Sequence, residues 1–198
     1  MNPWMEIELD DYEAHMSSDG VFQLQTLNEI MSEQSQYSKE IVTVLGAAGG
    51  NGFEHFVNAK TIYAVDVNEE FLKRCAERFP ALQDKLRLIC CDLNQADLPP
   101  CELLICNLII EYLGVDSFAA LLQRLDFEIT SCVIQKNHGN SFVSASEAAL
   151  KLAPLGPFHH DIDEDELIAG LNFLKLISRK RYELPNNKEF LRLDFVKL

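Results

Sequence analysis

Ile41-Val-Thr-Val-Leu45, running into Gly46-Ala47-Ala48-Gly49-Gly50-Asn51-Gly52-Phe53, decides the reading of this chain. The unbroken apolar and β-branched run predicts a strand buried on both faces, as in a parallel sheet. It stops at a cluster of glycines. Glycine tolerates φ > 0 and, lacking Cβ, lets another group lie close against the backbone. A helix opening after the turn would turn free N–H groups and the positive end of its dipole toward an anionic group. The stretch therefore reads as a nucleotide-cofactor loop. The competing reading is a strand-to-helix turn that needs glycine for packing alone.

Downstream, residues 52–59 are expected to form a short helix and residues 61–65 a second buried strand ending at Asp66. In sheets of this winding, an acid at the tip of the second strand, roughly 20 residues beyond the first loop glycine, accepts from both ribose hydroxyls of a nucleoside. A helix over 69–79 and a third strand over 86–91 lead to Asp92, placed either for an exocyclic adenine amine or to cap the next turn. Val67 and Leu93, beside the two acids, join the expected cofactor contacts. The fourth strand, 101–107, runs into Leu108-Ile-Ile-Glu111-Tyr112. Open parallel sheets bind ligands outside their carboxyl ends, so Asn107, Glu111 and Tyr112 are placed to meet the reacting group. Glu111 interrupts an apolar segment; its competing role is a solvated loop acid.

A helix over 116–125, a fifth strand over 129–134 and a helix over 142–152, ended by Pro154 and Gly156, should follow. Asp161, Asp163 and Asp165 imitate a calcium loop, but Glu166 and Asn172 stand where glycine and glutamate are required, so no metal is expected. Asp163 and Glu166 read instead as a capping-box-like start of a helix over 164–172. The chain closes on two alternating strands, 174–184 and 189–198, joined as a hairpin.

Upstream, residues 1–18 read as polar and irregular, and Val21, Leu24, Leu27, Ile30 and Met31 predict an amphipathic helix over 21–36. Such a leading helix can close over a ligand site and bring Tyr12, His15 and Met16 to it. The expected division is an arm and covering helix, 1–38, ahead of one catalytic domain, 39–198.

With 31 acidic and 17 basic residues among 198, the formal charge is −14, which repels a duplex phosphate backbone. The one basic run, 175–181, alternates as the solvent side of a strand does. Six cysteines form no Cys-x-x-Cys pair and read as reduced core thiols. The first residues are acidic where a signal peptide is basic, and no apolar stretch reaches about 18 residues. A cytoplasmic protein without nucleic-acid or membrane partners is the expectation, acting on a small molecule, with oligomeric state left open.

Five βα steps, a final helix and an antiparallel hairpin make an α/β Rossmann-like three-layer sandwich with a seven-stranded, mostly parallel sheet. With the loop and the strand-end acids, the chain resembles the class I S-adenosylmethionine-dependent methyltransferases. Tyr12-Glu-Ala-His-Met16 and Leu45-Gly-Ala-Ala-Gly-Gly-Asn-Gly-Phe-Glu-His55 are similar to a group of small bacterial methyltransferase-domain proteins. The resemblance implies that Gly46, Ala48 and Gly50 stand at the three loop glycines, Asp66 at the ribose acid and Asp92 at the adenine-side acid. Two positions depart from the pattern: Ala48 replaces the middle glycine, and Val44 the acid that commonly precedes the loop.

That resemblance implies S-adenosylmethionine as cofactor and methyl transfer to a small-molecule or protein acceptor. Glu111 or His15 would serve as base where the acceptor must lose a proton, and Tyr12 or Tyr112 would face the sulfonium. A catalytically silent binding module and a nicotinamide-dependent oxidoreductase are the alternatives. Against the latter, Gly46-Ala-Ala48-Gly-Gly-Asn51 does not satisfy Gly-x-Gly-x-x-Gly, and a terminal hairpin is not that fold's usual ending.

Overall fold

A computed structural model describes residues 2–198. The β-branched runs become the middle of one seven-stranded sheet, β1 Ile41–Leu45, β2 Thr61–Asp66, β3 Leu86–Cys90, β4 Leu103–Asn107, β5 Ile129–Lys136, β6 Leu174–Leu184 and β7 Lys188–Lys197. Their order is β3-β2-β1-β4-β5-β7-β6. β1 pairs in parallel with β2 and β4, Val42 facing Ile62 on one side and Leu103 on the other. β7 runs antiparallel to both β5 and β6 and is the single reversed strand. The edge strands read differently from the centre, because one side of each meets water: Leu88 on β3 is exposed, and β6 alternates.

Side chains alternate across the sheet and build two apolar layers. Leu104, Cys106, Leu193 and Phe195 pack with Phe118, Leu121 and Leu167 from α5 (Val115–Arg124) and α6 (Glu164–Gly170), the two helices nearest the C-terminus. On the other face Val42, Val44, Ile62 and Ile105 pack with Phe53, Leu72 and Cys75. The earlier helices are α1 Leu9–Ser17, α2 Gln23–Ser35, α3 Glu69–Arg78 and α4 Ile110–Leu113.

Three local expectations change. The first residues are ordered into a 3-10 turn, Pro3–Glu6, and α1, whose Leu9, His15 and Met16 are buried. The glycine loop leads only into a 3-10 turn, Phe53–Phe56. In place of a helix over 142–152 there are turns and then a 3-10 run, Ala149–Phe158, within which Pro154 and Pro157 lack the N–H an α-helix needs. Asp163 does cap α6, accepting from the N–H groups of Asp165 and Glu166. The basic run lies on the solvent side of β6, and three of its four bases pair with the chain's own acids: Arg179 and Arg181 meet Glu164, Lys180 meets Glu33, and Arg181 also meets Glu189.

Candidate functional site

A cavity of about 240 Å³ lies at the carboxyl ends of the central strands, where β1 has β2 on one side and β4 on the other. Such a switch point leaves a crevice, because the connections leave it in opposite directions. Gly46, Ala48, Asp66, Val67, Asp92, Leu93, Asn107, Tyr12 and Tyr112 border it. Ala47, Gly49, Gly50, Asn51 and Gly52 do not. A Cβ on Gly49 would lie 2.5 Å from Glu13 Oε1, one on Gly50 2.6 Å from Cys75 Sγ, and one on Gly52 2.4 Å from Met31 Cβ. Close packing within the protein thus accounts for these three glycines. Ala47 is buried in the layer below, and the Asn51 amide donates to Leu24 O at 2.9 Å.

Asp66 is 9% exposed, and it ties the site together. Its Oδ2 accepts from Ala48 N–H at 2.8 Å and its Oδ1 from Asn68 N–H at 2.9 Å. Asn68 caps α3 and donates from Nδ2 to Trp4 O at 2.9 Å, so loop, strand, helix and N-terminal segment meet at one pair of side chains. Burial pushes the Asp66 carboxyl up, opposed by the N–H groups of Asn68, Ala48 and Val67. Asp92 is exposed, and its Oδ1 caps the 3-10 turn Leu93–Gln95 through Asn94 N–H at 2.9 Å. Two non-glycine residues with positive φ, Ala48 at 45° and Leu108 at 55°, both border the cavity.

A second chamber of about 60 Å³ shares Trp4, Tyr12, Leu108 and Tyr112 with the first. Glu111 and His15 border this chamber and not the larger cavity. Glu111 is no solvated loop acid: it is 2% exposed, and Oε1 accepts from Gln135 N–H at 2.8 Å. Its Oε2 is buried without a hydrogen-bond partner among the described residues, as is Trp4 Nε1. Burial pushes the Glu111 carboxyl up to about 7, with Asp161 adding to the shift. His15 Nδ1 lies 2.7 Å from Ser146 Oγ, and burial first, then Lys188, lowers its pKa and favours the neutral ring. The walls are aromatic. Trp4 stands edge-on to Tyr12 and Tyr112 at 5.7 and 5.0 Å, and His159 stacks on Phe142 at 4.2 Å.

Solved structures share this architecture. Magnesium protoporphyrin IX methyltransferase (ChlM) from Synechocystis PCC 6803 with bound SAH aligns over 96% of this chain and 93% of its own, with TM-score 0.71 and 13% identity. An S-adenosylmethionine-dependent methyltransferase from Clostridium acetobutylicum ATCC 824 aligns over 94% and 96%, with TM-score 0.64 and 16% identity. The chain has the S-adenosylmethionine-dependent methyltransferase fold. The [4+2]-cyclase SpnF also has it, at TM-score 0.65 and 11% identity over 87% of this chain and 80% of that one. No family model and no curated protein matches the sequence.

Within this methyltransferase fold, the wall residues Trp4, Phe71, Leu108, Ile109, Phe142 and His159 were not foreseen from sequence. Trp4, Phe142 and His159 sit in segments without periodicity, and only folding brings them together. Phe71 lies with Leu72 and Cys75 on the buried side of α3, a spacing that marks core rather than site. Among the described residues no three His, Cys, Asp or Glu side chains converge on a metal site, and no helix is long and apolar enough to cross a membrane.

Proposed function

We propose that the chain binds S-adenosylmethionine at the β1–β4 switch point and directs methyl transfer to a small molecule in the adjoining chamber. The observation that carries this reading is the shared wall: an acid-bordered cavity at the sheet's open edge lies one layer of side chains from a chamber holding a buried carboxylate. The residues present fit the cofactor. Each Asp66 oxygen accepts one backbone N–H and keeps a lone pair for a vicinal diol, Asp92 suits an amine, and Phe71, Leu93 and Ile109 offer apolar cover for a purine. When bound, that group supplies an electrophilic sulfonium methyl. The protein's own task is then to position the nucleophile and exclude water. Tyr12 and Tyr112 border both spaces and their rings can attract a cation, and Glu111 takes a proton where the acceptor must lose one, with the neutral His15 as a second base. A duplex nucleic-acid acceptor is disfavoured by the net charge and by the pairing of the only basic run. A cytoplasmic setting accords with six free cysteines.

Titration calorimetry should show S-adenosylhomocysteine binding and no heat with NAD; the reverse pattern would overturn the assignment. Asp66→Asn should weaken that binding about ten- to a hundredfold, because charge-assisted bonds are lost. The amide also cannot accept from both Ala48 and Asn68 on its former terms, so a stability loss of about 1–2 kcal/mol should accompany it. A second reading, a silent binding module, is kept open because fold alone does not fix chemistry: a [4+2]-cyclase has the same fold. Release of S-adenosylhomocysteine from S-adenosylmethionine with any acceptor from pooled metabolites would remove it.

A further inference from the structure

The small chamber has a chemistry of its own. Glu111 Oε2 is a buried acceptor without a donor, while Oε1 is already held by the backbone of β5. The neighbouring amides do not supply that donor, because they satisfy one another: Gln23 Nε2 donates to Gln135 Oε1 at 2.7 Å, and Gln135 Nε2 donates to Asn137 Oδ1 and to Phe142 O. No Lys or Arg borders the chamber. The nearby Lys188 does not border the chamber; its Nζ donates to Phe142 O at 2.9 Å, and its charge acts on His15 and His159 rather than on Glu111. The rest of the wall is mainly apolar, part of it aliphatic, such as Met16 and Leu152, and part aromatic, with Trp4, Tyr12, Tyr112 and Phe142. The orphaned donor, Trp4 Nε1, belongs to a residue bordering both cavities and does not by itself choose the occupant of this one.

We propose that the chamber is the acceptor subsite and that it takes the amine end of a small primary or secondary amine, with Glu111 receiving its proton. An anionic acceptor would find no Lys or Arg on the wall and would hold Glu111 in its protonated form, unable to act as a base. An alcohol would satisfy Oε2 but gain no cation–π attraction from the aromatic side chains of the wall, which a nitrogen carrying positive charge can gain. At about 60 Å³ the chamber admits a group of few heavy atoms, so a larger acceptor must present its amine terminally. In the step itself the bound ammonium first gives one proton to Glu111 Oε2, which frees the nitrogen lone pair. That pair forms the C–N bond as the sulfonium S–CH₃ bond breaks and leaves its electron pair on sulfur, and the product departs as the methylated ammonium while Glu111 returns its proton to solvent.

This inference rests on the cofactor reading, and its test separates the two. With the protein saturated in S-adenosylhomocysteine, calorimetry would measure binding of propylamine and benzylamine beside the alcohols and carboxylates of the same skeletons. Methyl transfer from labelled S-adenosylmethionine would be followed in parallel. The amines should bind at least about tenfold more tightly than their isosteres. Glu111→Gln should abolish that preference while S-adenosylhomocysteine affinity stays within about twofold, which also reports an intact fold. Glu111→Asp, which keeps the charge but withdraws it, should retain part of the preference. Alcohols or carboxylates binding as tightly as amines, no probe binding at all, or an unchanged preference in Glu111→Gln would overturn the amine assignment with the cofactor reading intact. Failure of the wild-type protein to bind S-adenosylhomocysteine would instead overturn the reading beneath it.

Discussion

Glu111 carries a stability cost. Its carboxyl titrates near 7 in the folded chain against an ordinary 4.5, so the folded state holds the proton more tightly. The group's favourable contribution is complete below pH 4.5 and is lost as pH rises toward 7, leaving a penalty of about 3 kcal/mol at alkaline pH. Glu111→Gln removes the charge and keeps the shape. Urea unfolding should find the variant more stable than wild type by about 2–3 kcal/mol at pH 8 and equal to it at pH 4. Parallel stability curves would mean that Oε2 reaches water. Glycine substitutions separate packing from backbone strain at the same scale. Gly52→Ala forces a Cβ against Met31 at φ +88°, whereas Gly139→Ala, at φ +82°, meets nothing within 4 Å. The first should cost about 2–5 kcal/mol and the second about 1–2, read from chemical denaturation.

Among elements, β7 is unusual in burying an ion pair in the reversed strand. Arg192 donates through Nε and Nη2 to the two oxygens of Asp194 at 2.9 and 2.8 Å, and Tyr37 and Ser131 also donate to that acid. From Ser131 the polar chain continues through Gln34 to Asn107 at the cavity rim. Arg192→Leu strands a buried charge and should cost about 3–5 kcal/mol, while Arg192→Leu with Asp194→Leu should cost less than the single change. Urea midpoints of the three proteins decide this, and a double mutant worse than the single would refute it. This network was invisible in the sequence because Arg192 and Asp194 occupy alternate positions among the apolar Phe190, Leu191, Leu193 and Phe195 of a strand that also carries charges at its ends. The strands themselves were legible, since parallel central strands write continuous apolar runs and a hairpin writes alternation. α1 was hidden because its buried stripe consists of only Leu9, Met16 and the polar His15. The positions of Asp66 and Asp92 followed from strand ends, but their hydrogen bonds did not: both cap neighbouring backbone as well as facing the cavity.

Over the whole molecule, the first residues complete a site that the sheet begins. Asn2, Pro3 and Trp4 border the larger cavity, and Asn68 holds the backbone at Trp4 and Ile7. A chain starting at Leu9 should keep its far-ultraviolet circular dichroism and lose about tenfold or more in S-adenosylhomocysteine affinity; undiminished affinity would show that the sheet edge suffices. The glycine cluster teaches a related lesson at this scale. Three of its members answer to Glu13, Cys75 and Met31, so a motif that looks built for a ligand is in large part built for the protein's own neighbours. The wall between the two cavities has one further property. Trp4 is the only tryptophan in the chain, and it borders both spaces. Its fluorescence therefore comes from a single place: quenching by a sulfonium on one side and by an amine on the other can be followed separately, without attaching any dye.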